Sequence, residues 1–366
     1  MAATTITRLL TDRRDITQLR IDRRDAVDAL DEGEVRVAVR RLALTANNVT
    51  YAVFGDSMRY WDFFPTGVEG WGAVPAWGYA DVLDSRAPGL DAGERLYGYW
   101  PIASHAKLVP VRIGALDCRD GAPHRAALPA AYQHYGRCAA DAGHAADDEP
   151  LLALLRPLYL TAWLLADFLR ETAPAGARLV ISSASSKTAY GCADALGAAA
   201  GLRRIGLTSP HHRGFVEALG CYDAALGYDA LEAALPPDTP TLYIDFSGDA
   251  ALRERVHRHF GAALTHDVVI GATHSLQPPA PYDRSLPGPR PSFFFAPARM
   301  AERSEAWGAA ELHRRLAAAQ REFIAKVKRG GWIEVVETQG FDAARQVLGE
   351  LIAGRVDPRR GQVVNL

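Results

Sequence analysis

The chain has 366 residues, 48% of them hydrophobic and 23% charged, with a formal net charge of −2 at pH 7. That composition is ordinary for a globular protein, and the length suits roughly two domains with sizeable cores. Lys and Arg are interspersed with Asp and Glu, which argues against a nucleic acid or an anionic membrane surface as partner and leaves a small-molecule substrate as the expectation. The opening "MAATTITRLLTDRRDITQLRIDRRD" lacks the apolar core of a signal peptide, and no stretch approaches the roughly 18 uninterrupted apolar residues of a spanning helix, so a cytoplasmic location is expected. Cys118, Cys138, Cys192 and Cys221 lie far apart without a Cys-x-x-Cys pair, and no zinc knuckle or disulfide framework is indicated.

In chain order, the repeated "DRRD" at 12–15 and 22–25 reads as a solvated face. "EVRVAVRRLAL" at 34–44 alternates Val35, Val37 and Val39 with polar neighbours, the pattern of a half-buried antiparallel strand. Further strand signals at "YADVLDS", "RLYGYW" and "AKLVPVRI" are separated by Pro, Gly and Asp clusters, which is turn chemistry. Residues 114–150 read as a connection with one short helix. From 151 the pattern changes to helical spacing in "LLALLRPLYLTAWLLADFLRET". Strand 178–182, helix 188–201, strand 203–208, helix 212–220, strand 241–247, helix 250–260 and strand "HDVVIGAT" then alternate, which predicts an α/β doubly wound parallel sheet. A strand at 292–297, a long helix over 307–329, the helix "FDAARQVLGELIAG" and the strand "GQVVNL" complete the reading.

The order of motifs resembles the medium-chain dehydrogenase/reductase superfamily, most nearly its zinc-independent quinone and enoyl reductase branch. "LALTANNVTYAVFG", "VPAWGYADVLDS", "AGERLYGY", "LYLTAW" and the closing "FDAARQVLGELIAGRVDPRRGQVVNL" carry that resemblance. It implies a GroES-like, β-rich catalytic domain from residues 1–149 and 326–366, with a Rossmann nucleotide-binding domain inserted as 150–325, and a homodimer. Zinc-dependent members place Cys in the early loop and Gly-His-Glu in the next segment; here those positions fall on Asn48 and Gly78-Tyr79-Ala80, which cannot supply a thiolate and an imidazole. No metal is expected.

A Rossmann turn uses glycine for a tight backbone, close approach to the pyrophosphate and helix–strand packing. The family's glycine pattern, laid along "ISSASSKTAYG", falls on Ser183, Ser186 and Ala189, none of them glycine. The hydroxyls of Ser183, Ser185, Ser186 and Thr188 can donate to phosphate oxygens, and Lys187 adds charge at a helix N-terminus already favourable to anions. The other reading of the stretch is a hydrophilic helix start with a serine cap. The second strand ends "IGLTSPHHRGF" without the acidic residue that an NAD ribose calls for, so Thr208, Ser209, His211 and Arg213 are candidates for a 2′-phosphate and NADP(H) is the expected cofactor. Later strand ends add Phe246 and Ser247, then Gly271, Ala272, Thr273 and His274. His274 reads as a satisfied edge histidine first, then as a cofactor contact or a proton donor. By resemblance, Phe294 and Phe295 of "SFFFAP" approach the nicotinamide and Thr161 sits beneath its ring.

Hydride delivery to an enone or quinone leaves charge on oxygen and calls for hydrogen-bond donors and a general acid. The resembled reductases often use a tyrosine of the early loop, which selects Tyr51 first and Tyr60 second, with Asn48 orienting substrate or ribose; Tyr79, at the position of the missing zinc histidine, is a third donor candidate. The aromatic density around them also reads as core and pocket wall. No Gly-x-Ser-x-Gly or His-Glu-x-x-His is present. The reading is thus an NADP(H)-dependent, zinc-independent oxidoreductase acting on an activated C=C or quinone-like substrate. A nucleotide-binding sensor or scaffold, and a non-redox lyase or isomerase on the same scaffold, remain as alternatives.

Overall fold

A computed structural model of the chain describes residues 4–26, 29–197, 201–270 and 283–366. The chain divides into two units: Met1–Leu154 with Ile333–Leu366, and Leu155–Trp332.

The second unit is built on a six-stranded, wholly parallel sheet. Its first strand, Arg178–Ile181, lies between Arg203–Thr208 and Thr241–Asp245. From there Ala224–Gly227 closes one edge, and Leu264–Val269 followed by Ser292–Phe293 closes the other. Direction of growth therefore reverses between Arg178–Ile181 and Thr241–Asp245, the switch point at which such sheets bind ligands beyond their carboxyl ends. Leu179, Val180, Ile181, Leu242, Tyr243 and Ile244 are fully buried, as strands covered on both faces must be.

Helix Lys187–Leu196 follows the first strand, and helix Ala250–Phe260 starts at Asp249, whose carboxylate accepts from the backbone N–H of Ala251 and Leu252. Gly191 lets the first of these approach its neighbour: a Cβ there would stand 3.2 Å from the Cβ of Ala162. Ala162 belongs to helix Glu149–Thr172, on which Tyr159 stacks with Phe323 at 4.2 Å between ring centroids. By length and composition alone the segment Ala146–Thr172 could cross a membrane, although 56% of its most apolar window is buried within the protein, as in a core helix.

The first unit carries a large sheet centred on Val35–Leu44, which pairs antiparallel with Pro75–Ser85 on one side and with the C-terminal strand Arg360–Asn365 on the other. Arg95–Pro101, His134–Arg137, Asp117–Asp120 and Pro110–Val111 extend the sheet beyond Pro75–Ser85, and Glu334–Gln339 lies outside Arg360–Asn365. Val35, Val37 and Val39 are buried against Ala76, Ala80, Leu96, Trp100 and Leu348, the last from helix Gly340–Ile352. Gly78 is obligatory at this crowding: a Cβ there would stand 1.9 Å from the carbonyl oxygen of Arg41, beside a register shift in the ladder.

The edge strand Ala224–Gly227 was not expected from the sequence, and four further elements differ from the expectation. The first "DRRD" is the turn of a hairpin, Thr4–Asp12 with Leu19–Ala26, and Asp12 accepts there from the N–H of Arg14 and Asp15. The early loop is a helix, Ala46–Val53. The connection at 114–150 contains two paired strands, Asp117–Asp120 and His134–Arg137. Each places a single residue in the apolar core, Cys118 and Tyr135, beside a buried polar network in which Asp120 accepts from the N–H of Val109 and Ala122 and pairs with Arg125 at 2.8 Å, so there was no alternating apolar run to read. The strand expected at 292–297 stops at Phe293, because Pro297 starts helix Ala296–Trp307; Gly308, at φ +85°, separates that helix from Ala309–Gly330.

Candidate functional site

The first strand of the parallel sheet ends at Ile181, and the backbone turns at once into helix Lys187–Leu196. Ser183 makes the turn at φ +48°, the left-handed region where a glycine is usual. A serine there costs about 1 kcal/mol relative to glycine. Its backbone N–H donates to the Tyr228 hydroxyl at 3.1 Å, and its carbonyl accepts from the N–H of Ser186 at 2.8 Å. Ala184 donates its N–H to the Leu207 carbonyl and accepts from the Tyr222 hydroxyl at 2.9 Å. Room for its side chain comes from the adjacent strand, where a Cβ on Gly206 would stand 2.8 Å from that of Ala184. Ser186 caps the helix, its Oγ accepting from the Ala189 N–H. Ser185, Ser186, Lys187 and Thr188 are half-buried, while Ser183 is buried. Three hydroxyls and one ammonium are thus grouped at the N-terminus of a ten-residue helix, at the sheet's switch point, and these groups suit an anionic diphosphate.

Ser182 and Asp245 lie beneath this turn, and the sequence reading singled out neither. Ser182 Oγ donates to Asp245 Oδ1 at 2.9 Å and accepts from the N–H of Phe246 at 2.9 Å and of Ser247 at 3.1 Å. Phe246 and Ser247 are buried, and Ser247 Oγ donates to Asp245 Oδ1 at 2.7 Å, so that hydroxyl serves the loop rather than an open crevice. Tyr228 was also missed; burial raises its phenol above the ordinary range. The "GY" that opens the segment after the edge strand was its only sequence signal.

At the end of the second strand Thr208 is buried, Ser209 Oγ lies 3.2 Å from His212 Nδ1, and His211 is exposed. Arg213 is exposed and pairs with Glu217 one helical turn on, at 2.9 Å, so a phosphate would compete with a carboxylate for it. Thr161 turns its hydroxyl back to the Pro157 carbonyl of its own helix at 3.5 Å. Phe294 packs on Phe168 at 5.7 Å between centroids, and Phe295 is 45% exposed. Gly271, Ala272, Thr273 and His274 lie outside the described residues.

In the first unit, Tyr51 is held on helix Ala46–Val53 by a capping box. Asn48 Oδ1 accepts from the Thr45 N–H at 2.7 Å and its Nδ2 donates to the Pro75 carbonyl at 2.7 Å. Both ends of the Asn48 amide therefore fix the helix, and the orienting role expected of it gives way to a structural one. Trp77 Nε1 donates to the Tyr51 hydroxyl at 3.2 Å. Around Tyr51 stand Tyr60 at 4.8 Å, Tyr99 at 5.3 Å and Tyr132 at 6.3 Å between centroids, with Phe63 completing the group. The hydroxyls of Tyr60 and Tyr132 are 3.3 Å apart. Tyr99 is fully buried, and its hydroxyl has no well-formed hydrogen bond among the described residues.

Burial raises the phenols of Tyr51, Tyr60, Tyr99 and Tyr132, and for Tyr51 the Trp77 N–H works against that rise. They remain protonated donors at neutral pH. Tyr79 belongs elsewhere. It pairs across the ladder with Tyr97, and its fully buried ring lies against Tyr97, His144 and the Arg95 guanidinium, outside the Tyr51 group. Tyr99 and Tyr132 were missed by the sequence reading. The period-two aromatics of "RLYGYW" point to Tyr99, whereas Tyr132 sat in the supposed connection. The four cysteines are buried, and burial pushes the Cys118 and Cys221 thiols up to about 12.

A doubly wound Rossmann unit with a diphosphate-compatible turn and a GroES-like β-rich unit with a phenol cluster define the class of fold. Residues 42–357 match the family described as "Protein of unknown function (DUF2855)", and the chain belongs to it. No curated protein matches the chain. Among solved structures it is similar to CurA from Vibrio vulnificus, with a TM-score of 0.65 at 14% identity over 99% of this chain and 98% of that one. A second structure of that protein, with NADPH, gives 0.64 at 13% over 95% and 94%. The yhdH oxidoreductase from Salmonella enterica in complex with NADP gives 0.55 at 15% over 98% and 99%. A mutant form of enoyl thioester reductase from Candida tropicalis gives 0.57 at 12% over 99% and 100%.

Proposed function

We propose that the protein is an NADP(H)-dependent, zinc-independent oxidoreductase that reduces an activated C=C or a quinone-like substrate. The observation that carries the reading is the turn at Ser183. Its left-handed backbone does the work of a glycine, and Ser185, Ser186, Lys187 and Thr188 gather donors at the helix N-terminus. Support comes from CurA and the yhdH oxidoreductase, whose structures hold NADPH and NADP. Lys187 and the serine hydroxyls would hold the diphosphate, and Ser209, His211 and Arg213 the 2′-phosphate, with no carboxylate among those three to favour NAD(H).

A bound reduced nicotinamide supplies a hydride. The chain's own part is to bind the acceptor among aromatic rings and to offer hydrogen to its oxygen. Tyr51 is the donor of choice: its oxygen already accepts from Trp77, and its raised phenol keeps the proton at neutral pH. Asn48, with both amide atoms engaged, and Tyr79 offer no metal-binding pair. The same reading includes a homodimer through the edge strand Ser292–Phe293, where Phe293 is 62% exposed; analytical ultracentrifugation tests it.

Fluorescence titration with NADPH and NADH, followed by turnover on a panel of enones and quinones, tests the whole reading. Tight NADPH binding, weaker NADH binding and substrate-dependent oxidation are expected. Absence of NADPH binding removes the reading, and equal affinity for both nucleotides removes the NADP preference. Binding without turnover on any acceptor returns the protein to the class of nucleotide-binding sensors.

A further inference from the structure

Asp245 ends the strand next to the switch point and has no exposed surface. Its Oδ1 is approached by five donors among the described residues. It receives Ser182 Oγ at 2.9 Å, Ser247 N–H at 2.9 Å, Ser247 Oγ at 2.7 Å, Gly248 N–H at 3.1 Å and the Tyr243 hydroxyl at 3.2 Å. Its Oδ2 is bound by the Arg253 guanidinium. Through Ser182, whose Oγ also receives the N–H of Phe246 and Ser247, the carboxylate ties the start of the Ser182–Ser186 turn to the Phe246–Gly248 loop.

A second carboxylate backs this one. Arg253 Nε lies 3.3 Å from Asp267 Oδ2, and His257 Nε2 lies 2.9 Å from the same oxygen. His257 Nδ1 is 2.7 Å from the Pro287 carbonyl, which can only accept, so that nitrogen carries hydrogen. Arg253 thus spans two carboxylates, with His257 against the second, and three of the four side chains have no exposure. A buried carboxylate is tolerable only under such conditions.

We propose that Asp245 is the positioning residue of the nucleotide turn, acting through Ser182 to hold the two loops beside the switch point in a fixed arrangement. The turn lacks the glycines that would let its backbone settle against the pyrophosphate, and its order comes instead from a carboxylate beneath it. The N–H groups of Phe246, Ser247 and Gly248 are all drawn inward, so phosphate contact is confined to the side of the crevice that runs from Ser183 to Thr188. The inference rests on the proposed nucleotide site for its ligand, but the ordering of the loops is a property of the chain alone.

The test uses the full chain with Asp245→Asn and Ser182→Ala, and Asp223→Asn as a control that loosens the Arg204–Asp223 pair at the opposite end of the second strand. Backbone hydrogen exchange without nucleotide is read over residues 182–186 and 246–248, and NADPH affinity by titration. Exchange at least about tenfold faster at those two loops is expected in both variants, with NADPH affinity about tenfold weaker and the control unchanged at both readouts. Unaltered exchange in Ser182→Ala overturns the proposal, and that variant decides alone if Asp245→Asn does not fold. Accelerated exchange in a protein whose wild type binds no NADPH removes the nucleotide reading and leaves the ordering role in place. Weaker NADPH binding equal in the control and in both variants reduces the effect to general destabilisation and also overturns the proposal.

Discussion

The two candidate sites, one in each unit, treat their buried hydroxyl groups in opposite ways. Around the switch point of the parallel sheet, Ser182 and Ser247 are saturated: each bonds to Asp245, and Ser182 takes two backbone N–H groups as well. In the β-rich unit, Tyr60 and Tyr132 share one long contact and Tyr99 has none well formed, although all three are buried or nearly so. Saturated hydroxyls fix a backbone, because removing any partner strands a dry polar atom. Phenols held mainly by their rings leave hydrogens uncommitted, which is what the carbonyl acceptor proposed above would require. One site is therefore ordered by hydrogen bonds, and the other by aromatic packing with its hydrogen bonds in reserve.

The contrast is most easily broken at Arg253. Arg253→Met strands Asp245 and Asp267 together, and a loss of about 3–5 kcal/mol is expected in urea denaturation. A loss below about 1 kcal/mol means that the saturated cluster does not order the unit. The reserve of donors is tested next by Tyr51→Phe, which removes one hydroxyl from a packed ring. Turnover falling by about 100-fold with stability within about 1 kcal/mol of the parent is expected; unchanged turnover makes Tyr51 pocket wall.

A pH profile sharpens the same point. Burial raises the Tyr51 phenol above its ordinary value of 10, so its proton is retained as pH rises from 7 through 10, and turnover should show no alkaline loss assignable to it. A fall in that interval that disappears in Tyr51→Phe contradicts the dry environment. The smallest effect is expected at Tyr99→Phe, where no well-formed bond is lost, with stability within about 0.5 kcal/mol of the parent or slightly higher. A loss above about 1.5 kcal/mol would mean that its hydroxyl is satisfied after all.

Much of the parallel sheet was legible in the sequence, because short apolar runs bounded by turn residues leave little choice. Arg203–Thr208 and Ala250–Phe260 fall where the pattern put them. The β-rich unit was read less completely. Asp117–Asp120 and His134–Arg137 give the core only Cys118 and Tyr135, one apolar residue each beside the buried Asp120–Arg125 pair, and the signal for a strand is a longer apolar stripe. Tyr132, close to those strands, was lost with them. At the serine turn the side chains that can meet an anion were visible as a string of letters. The residue that orders them was not, because Asp245 lies 63 positions from Ser182 and meets it only when the two strands pair. Asn48 illustrates the reverse error: the position suggested chemistry, while the cap and the Pro75 carbonyl take both ends of its amide.

The alanine that follows the left-handed Ser183 has a counterpart on the neighbouring strand. Ala184 fits because Gly206 has no side chain, the two positions being separated by what would be a 2.8 Å contact. Steric room has been exchanged between strands rather than lost. Across the family, position 206 should therefore covary with its surroundings: a side chain there calls for glycine at 184 and for smaller neighbours than Tyr222 and Val216, each 3.2 Å from where its Cβ would stand. A set of aligned relatives can reveal that linkage without any protein being made.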